Sequence, residues 1–274
     1  MKVFCILSDE RVYSSKSPLM FTRVLQRVGI HAVYVPFKVD PQNVGLALNS
    51  LKVLNITGAN VTVPFKEKVI PHLDVLSEGA NIIGAINTIV CNQDGLKGYN
   101  TNAIGFMDAL NEAGFEVAGK SALVFGTGGA ARAVVFMLNW LKAASIRVAG
   151  RSADKTAGIT ERFEVEGCSI DELAERPVAA DIVVNATSVS SPQEAPDLAA
   201  TVQNLEIPGC QLVLDLNYGR NQCFWQDMAR LKGIRFMDGL PALAFQARRT
   251  FALWTQVQVA PEEFLNALKE TQAS

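Results

Sequence analysis

Short apolar runs alternate with segments of helical periodicity along the whole first half of the chain. Runs rich in β-branched and aromatic residues predict strands over residues 3–7, 32–36, 54–58, 86–91 and 96–99. Apolar positions spaced three and four apart predict helices over residues 18–28, 43–51 and part of 67–76. The last two strands flank Asn92-Gln-Asp-Gly95, which is typical of a β-hairpin turn. The first half is therefore predicted to be α/β with a local antiparallel pair.

The same alternation resumes in the second half with a new series of strands. These are predicted over residues 121–125, 146–149, 181–185, 211–216 and 234–236. Helices are predicted over residues 102–113, 130–141, 243–256 and 261–269. Alternation of this kind predicts a parallel sheet with helices on both faces, and an α/β fold for the chain as a whole.

Composition excludes several classes of function. The chain has 274 residues, a net charge of −2 and no run of like charges, which argues against a general nucleic-acid surface. We expect no signal peptide and no membrane span, because no apolar run reaches the required length. His31 and His72 stand alone, so no metal site is expected. Five scattered cysteines without a CxxC pair predict free thiols, a reducing compartment and a cytoplasmic protein.

A glycine-rich segment follows the apolar strand at residues 122–125 and opens a helix. Gly126-Thr-Gly128-Gly129-Ala130-Ala131 has the G-x-G-x-x-A form of a dinucleotide-binding turn. Its glycines allow a tight turn and a close approach of pyrophosphate, and the helix N-terminus favours phosphate. The alternative is a glycine turn that only packs.

The end of the next strand indicates which cofactor this turn binds. An NAD site usually places a carboxylate there, whereas this chain has Gly150-Arg151-Ser152 followed by Lys155. A guanidinium suits a 2′-phosphate, so Arg151 and Ser152 favour NADP. Asp154 leaves NAD as an alternative cofactor. The alternative to a cofactor role is that Arg151 is only a solvated arginine in a loop.

The first half then holds the candidate substrate groups. They are hydroxyls, amides and one lysine: Ser15, Ser17, Thr62, Lys66, Asn87 and Asn102. This set suits a small, hydroxylated, anionic molecule. Lys66 follows a strand and a proline, where its ammonium is a candidate proton donor. Ser17 is also predicted to be the N-cap of the first helix, with Pro18 at the first helical position.

These residues carry a resemblance to the shikimate dehydrogenase family. The matching segments follow the family's order through nearly the whole chain: Ser15-Lys-Ser17-Pro18, Asn60-Val-Thr-Val-Pro-Phe-Lys66, Gly84-Ala-Ile-Asn87-Thr88, Gly98-Tyr-Asn-Thr-Asn102, the glycine turn, Gly150-Arg151-Ser152, Asp181 to Thr187, and Gly239-Leu240 through Gln246 to Trp254. Taken together, these segments are much more specific than any single motif.

The resemblance implies a Rossmann NADP-binding domain over residues 102–238. It implies an α/β substrate domain over residues 1–101, completed by C-terminal helices in 239–274. Lys66 would serve the reacting oxygen, and Ser15 and Ser17 would bind a substrate carboxylate. Thr62, Asn87 and Gln246 would hold ring hydroxyls, and Tyr218 would lie near the substrate. The cofactor residues it implies are Gly126, Gly128, Gly129, Ala130, Arg151, Ser152, Thr187 and Gly239. The activity implied is the reversible NADP-dependent reduction of 3-dehydroshikimate to shikimate.

Four departures from the family pattern bear on that activity. Ser14 replaces a histidine, Phe21-Thr22 replaces a histidine–asparagine pair, and residues 240–243 lack a methionine. Asn102 replaces the catalytic aspartate that pairs with the lysine. We therefore expect substrate binding to be largely kept, turnover to be reduced, and Lys66 to titrate lower. Asn102 is either an engineered change or a natural one. One alternative is a related dehydrogenase whose substrate is quinate or another cyclic hydroxy acid. The other is a non-catalytic protein that binds a shikimate-like ligand.

Overall fold

The computed structural model describes residues 1–270 and divides the chain into two compact units. Unit 1 comprises Met1–Asp108 and Leu243–Ser274, and unit 2 comprises Ala109–Ala242. Both boundaries lie inside helices, a few residues later than the predicted ones at 101/102 and 238/239. A helix that continues from one unit into the other leaves no linker composition in the sequence to mark the change.

Unit 1 is built on a mixed six-stranded sheet. Its elements up to the first boundary are β1 (Lys2–Ser8), α1 (Ser17–Arg27), β2 (Ala32–Lys38), α2 (Val44–Val53), β3 (Gly58–Val61), β4 (Val75–Leu76), α3 (Glu78–Ile83), β5 (Thr88–Asn92), β6 (Gly95–Tyr99) and α4 (Asn102–Glu112). The strand order is β2-β1-β3-β5-β6-β4. β1 runs parallel to β2 and β3, whereas β5 is antiparallel to both β3 and β6. The predicted hairpin is confirmed, with Asn92 opposite Gly95.

Two sequence predictions for this unit are wrong in detail. The strand predicted over residues 54–58 begins only at Gly58, because Asn55 adopts a positive φ of 52° and turns the chain first. The partial helix predicted over 67–76 reduces to a short 3-10 turn, Ile70–His72, before β4. Pro71 lies inside that turn, and a proline cannot donate the hydrogen bond that would continue a helix.

Unit 2 is a parallel sheet with intervening helices. Its elements are β7 (Ser121–Phe125), α5 (Gly129–Trp140), β8 (Ser145–Gly150), α6 (Ala153–Phe163), β9 (Glu166–Ser169), α7 (Glu172–Glu175), β10 (Ile182–Asn185), α8 (Pro196–Asn204), β11 (Leu212–Asp215), α9 (Phe224–Leu231) and β12 (Arg235–Met237). The order is β12-β11-β10-β7-β8-β9, the doubly wound order of dinucleotide-binding sheets. Strand order reverses between β7 and β10, so ligands are expected outside the carboxyl ends of these two strands.

The last two helices are α10 (Leu240–Thr255) and α11 (Pro261–Lys269). Trp254 fixes the end of α10 to the sheet of unit 1, because its indole Nε1 donates to the Ile89 carbonyl at 2.9 Å. The indole also stacks on Phe4 with ring centroids 4.7 Å apart. A side chain at Gly58 would collide with the indole ring of Trp254, so only glycine fits there. This packing aims one face of α10 at the sheet.

No helix within residues 1–270 has the length and apolar character needed to span a membrane.

Candidate functional site

Lys66 lies in a segment that leaves the carboxyl end of β3. The Val63–Pro64 peptide in this segment is cis. The Lys66 carbonyl accepts a 2.8 Å hydrogen bond from the Ile86 backbone, which fixes the segment beside the start of β5. The side chain is half-buried, and desolvation of the ammonium lowers the pKa from 10.5 to about 8. The direction agrees with the prediction, but the cause is desolvation and not the loss of a carboxylate partner.

Asn102 is the first residue of α4, and the start of this helix is fixed next to the same segment. Asn100 donates from its side chain to the Ala85 carbonyl at 2.8 Å and accepts from the Ala103 backbone at 3.1 Å. In the part of the chain that is described, the Asn102 amide makes no hydrogen bond and no carboxylate pairs with Lys66. Among the described residues, Lys66 therefore has no ion-pair partner, as expected when residue 102 is an asparagine and not an aspartate.

The sheet topology brings the candidate residues of unit 1 to one edge. β1 and β3 are parallel, so the segments after them, which carry Ser15 and Lys66, begin at the same edge. β5 is antiparallel to β3 and β6 to β5, so Asn87 and Asn102 also lie at that edge. The hydroxyl of Ser8 ties the ends of β1 and β3 together by donating to the Val63 carbonyl at 2.5 Å.

Asn87 and Gln246 are joined directly. Asn87 is 4% exposed, and its Nδ2 donates to Gln246 Oε1 at 2.9 Å and to Thr101 Oγ1 at 2.8 Å. Its Oδ1 accepts from the Thr101 backbone at 2.7 Å. Thr101 Oγ1 also donates to Gln246 Oε1 at 3.1 Å. These bonds fix the side of the Gln246 amide that accepts, and leave Nε2 as the side that can donate to a ligand.

A buried polar cluster behind these residues escaped the sequence analysis. Thr250 bonds with Thr88 at 2.9 Å and with Thr101 at 3.0 Å. Asn60 donates to the Asn87 carbonyl at 2.9 Å and accepts from the Tyr34 hydroxyl at 2.8 Å. The available signal was the spacing of Gln246 and Thr250, four apart in an otherwise apolar helix, which places both on one face.

Ser15 and Ser17 lie at the start of α1, and the N-cap role predicted for Ser17 is wrong. Ser17 is the first helical residue and the N-cap position belongs to Lys16. Ser15 Oγ accepts from the Ser17 backbone at 3.2 Å instead. The N-cap lies one residue earlier than predicted, because proline is tolerated throughout the first turn of a helix and Pro18 is the second helical residue rather than the first.

Several polar groups of unit 1 have no protein hydrogen-bond partner within residues 1–270, although they lie at this edge. They are the Lys66 ammonium, the Thr62 hydroxyl, the Ser17 hydroxyl, the Asn102 amide and Gln246 Nε2. None of these atoms is fully buried, so each can be reached from solvent. Most buried polar groups in proteins are satisfied internally. These groups are the hydrogen-bonding atoms that this edge of unit 1 leaves available to a ligand.

One departure from the family pattern is explained by packing. Phe21 is fully buried and stacks on Tyr34, with ring centroids 4.8 Å apart and an interplanar angle of 9°. It also contacts Trp254 and Phe264. Phe21 is therefore a core residue that anchors α1, which carries Ser17, to the sheet.

The glycine turn of unit 2 has the predicted strand–turn–helix context. Gly126 has a φ of +115°, and a side chain there would lie 3.0 Å from the backbone of Ala186. A Cβ on Gly128 would meet nothing within 4 Å. Packing therefore explains Gly126 but not Gly128, which leaves open space for a ligand. Gly128 is the N-cap of α5 and offers no side chain to the first N–H groups of the helix, as a phosphate site requires. Gly129 and Ala130 form the first turn of this helix.

Arg151 follows the carboxyl end of β8 and is exposed. A side chain on Gly150 would lie 2.6 Å from Thr127 Cγ2, so this strand end passes directly beside the glycine turn. The Ser152 hydroxyl caps α6 by accepting from the Lys155 backbone at 3.5 Å. Arg151 and Lys155 are the exposed cations near this strand end, and the guanidinium of Arg151 is the one whose geometry suits a 2′-phosphate. The Ser152 hydroxyl is used as a helix cap.

Thr187 and Tyr218 follow β10 and β11 at the same carboxyl edge. The Thr187 backbone lies 3.1 Å from where a Gly126 side chain would be, so it borders the glycine turn. Gly239 follows β12, and a Cβ there would collide with the Leu216 carbonyl oxygen. A close backbone contact therefore requires glycine at 239, whatever else the residue does.

Two family descriptions match the chain. Residues 8–89 match the shikimate dehydrogenase substrate binding domain, and residues 109–228 match shikimate / quinate 5-dehydrogenase. Among similar proteins, shikimate dehydrogenase (NADP(+)) of Desulforamulus reducens is 37% identical over 273 residues, covering 96% of this chain and 94% of the relative. The same enzyme of Moorella thermoacetica is 38% identical, covering 89% of this chain and 85% of the relative.

Solved structures give the same result for the fold. Shikimate 5-dehydrogenase of Thermus thermophilus, in complex with NADP(H) and shikimate, has a TM-score of 0.85 at 31% identity, covering 98% of this chain and 99% of that one. Shikimate dehydrogenase of Aquifex aeolicus has a TM-score of 0.86 at 30% identity, covering 98% and 97%. With both domains matched in order and relatives above one-third identity over nearly the full length, the chain belongs to the shikimate dehydrogenase family.

Proposed function

We propose that this protein catalyses the reversible NADP-dependent reduction of 3-dehydroshikimate to shikimate, with a rate limited by Asn102. The observation that carries the proposal is the set of unused polar groups at one edge of unit 1, centred on a half-buried Lys66. The names of the similar enzymes support the same substrate and cofactor.

Lys66 handles the proton in this reaction. In the reductive direction its ammonium donates to the ketone oxygen, and in the oxidative direction its amine accepts the hydroxyl proton. A pKa of about 8 places both forms within reach near neutral pH. Asn102 can accept a hydrogen bond but carries no charge, so it neither holds Lys66 protonated nor takes a proton itself.

The remaining residues bind and orient. Ser15 and Ser17 receive the substrate carboxylate, and Thr62 and Gln246 hold ring hydroxyls. Asn87 contributes through Oδ1 alone, which can accept a second hydrogen bond, because its Nδ2 already donates to Thr101 and Gln246. Gly128 and the start of α5 receive the pyrophosphate, and Arg151 receives the 2′-phosphate. When bound, the reduced nicotinamide supplies the hydride. Thr187, Tyr218 and Gly239 lie at the strand ends where this ring is expected.

The test follows nicotinamide absorbance with purified protein, shikimate and NADP. We expect slow turnover that is lost in Lys66→Met and kept in Lys68→Met, a matched exposed lysine two residues further along the chain. Absence of shikimate turnover in both the native protein and Asn102→Asp would refute the proposal. NAD in place of NADP tests the cofactor in the same assay.

Quinate is the second candidate substrate, because the family description matched by residues 109–228 names both shikimate and quinate. A higher kcat/KM for quinate than for shikimate would favour it. Tight shikimate binding without hydride transfer at any pH, in the native protein and in Asn102→Asp, would instead indicate a binding protein.

We also propose that the protein works in the cytoplasm, without nucleic-acid partners. All five cysteines are free thiols, which suits a reducing compartment. The net charge of −2 does not favour a polyanionic partner.

A further inference from the structure

A buried carboxylate, Asp215, lies in unit 2 outside the residues given a role so far. It is the last residue of β11 and is 1% exposed. Within residues 1–270 it has no cationic partner. Burying an unpaired carboxylate is strongly unfavourable unless hydrogen bonds compensate for the lost water. The position of Asp215 therefore depends on the donors around it.

Four donors surround this carboxylate, and all of them are neutral. Oδ1 accepts from Asn185 Nδ2 at 2.8 Å, from the Asn217 backbone at 3.0 Å and from Asn217 Nδ2 at 2.9 Å. Oδ2 accepts from Cys223 Sγ at 3.4 Å. An acceptor-only group suits this environment, because every neighbour donates.

Asp215 fixes the orientation of Asn185 and through it the position of Thr187. Because Asn185 Nδ2 donates to Asp215, its Oδ1 faces Thr187. That oxygen accepts from Thr187 Oγ1 at 2.7 Å and from the Thr187 backbone at 3.1 Å. The Thr187 backbone borders Gly126, so the chain of contacts extends to the glycine turn.

Asn217 extends the same network to two further segments. Its Nδ2, held by Asp215, also donates to the Thr187 carbonyl at 3.0 Å. Its carbonyl accepts from the Gly239 backbone at 3.0 Å. Asn217 directly precedes Tyr218. One carboxylate thus connects the three segments that follow β10, β11 and β12.

We infer that Asp215 is a positioning residue for the cofactor, holding Thr187, Tyr218 and Gly239 in place at the carboxyl edge of the sheet. Asp215 touches no ligand itself and acts through Asn185 and Asn217. The inference rests on the proposed function, since it requires that this edge binds the nicotinamide cofactor.

The test measures the dissociation constant of NADPH by fluorescence, without turnover, in Asp215→Ala and Asn217→Ala. We expect both variants to bind NADPH about 10- to 100-fold more weakly, the range found when a residue that orients the ligands of a metal site is lost. Asn217 is only half-buried, so Asn217→Ala is expected to fold. Its NADPH affinity tests the inference even if Asp215→Ala does not fold. Asp215→Asn should recover most of the affinity, because its Oδ1 can keep three donors while its Nδ2 faces Cys223 Sγ.

Asp181 provides the matched control. It ties the opposite, amino edge of the same sheet by accepting from Ser121 and Gln211. Asp181→Ala should lose stability yet bind NADPH with unchanged affinity. If the native protein binds NADPH and Asn217→Ala binds equally well, the positioning role is wrong while the proposed function stands. If the native protein binds no NADPH, the proposed function and this inference both fail.

Discussion

Replacing Asn102 by aspartate tests the central feature of the proposed mechanism, a lysine that has no carboxylate partner within residues 1–270. Two unit charges about 4 Å apart attract by about 4 kcal/mol at an effective dielectric constant of 20, which corresponds to about 3 pKa units. The new carboxylate must itself be desolvated, so a rise of about 1 to 3 units is expected. The Lys66 pKa should therefore move from about 8 toward its ordinary value of 10.5.

The pH profile gives the sign of this effect. Reduction of the ketone needs the ammonium, so in the native protein its rate should fall as the pH rises through about 8. Oxidation of the alcohol needs the amine and should rise through the same pH. In Asn102→Asp both inflections should move to higher pH. The kcat/KM should increase by about 10²- to 10⁴-fold, the usual contribution of acid–base assistance.

The assay is the initial rate of nicotinamide absorbance change between pH 6 and pH 10, in both directions. Asn92→Asp is the matched control, because it makes the same change in an exposed hairpin turn. That turn lies four residues along β5 from Thr88, or about 13 Å. An unchanged inflection in Asn102→Asp, or an equal gain in Asn92→Asp, would refute the reasoning.

Three further predictions test the remaining parts of the site. Gly128→Ala should keep the melting temperature, because its Cβ meets no protein atom, but should weaken NADPH binding, because the methyl group occupies space proposed for the pyrophosphate. Gly239→Ala should lower the melting temperature, because its Cβ would collide with a carbonyl oxygen. Calorimetry measures the melting temperatures and fluorescence titration measures NADPH binding. Arg151→Ala should raise the KM for NADPH and leave the KM for NADH unchanged, since only the former carries a 2′-phosphate. Gln246→Ala should cost about 1–3 kcal/mol in denaturant unfolding, because a buried donor of Asn87 loses its acceptor.

Each of these predictions has an outcome that contradicts it. Unchanged NADPH affinity in Gly128→Ala would mean that the turn only packs. Equal increases in both KM values for Arg151→Ala would remove the 2′-phosphate role. For Gln246, the control is Gln26→Ala on the exposed side of α1, expected within about 0.5 kcal/mol of the native protein. A Gln246→Ala loss no greater than this control would show that the amide contributes nothing to stability.

Long periodic elements were predictable because their signals are local. β7 and α11 have the predicted limits, and the glycine turn has the predicted context. The errors occur where a single residue changes the path of the chain: at Asn55, where a positive φ delays β3, and at Pro18, which shifts the helix cap. Such choices between neighbouring positions depend on packing and not on composition.

The polar network behind the site shows a different limit. Thr88, Thr101 and Thr250 look like ordinary strand and helix residues in the sequence. The Thr88 and Thr101 hydroxyls lie 3.3 Å apart, and the Thr250 hydroxyl reaches them only after α10 packs against the sheet through Trp254. Asp215 is a similar case, because its neighbours Asn185 and Asn217 come together only when β10 and β11 pair.

The sequence by itself determined the α/β class, the dinucleotide turn, the lysine and the missing carboxylate, since each is written in residue identity and local spacing. Only the tertiary structure decided which polar groups remain available to a ligand, because that depends on which partners each group finds after folding. Lys66 and Gln246 Nε2 are left without partners among the described residues, whereas Asn87 and Asp215 are held by others. Hydrogen bonds between residues distant in the chain form only once the sheet has set their register.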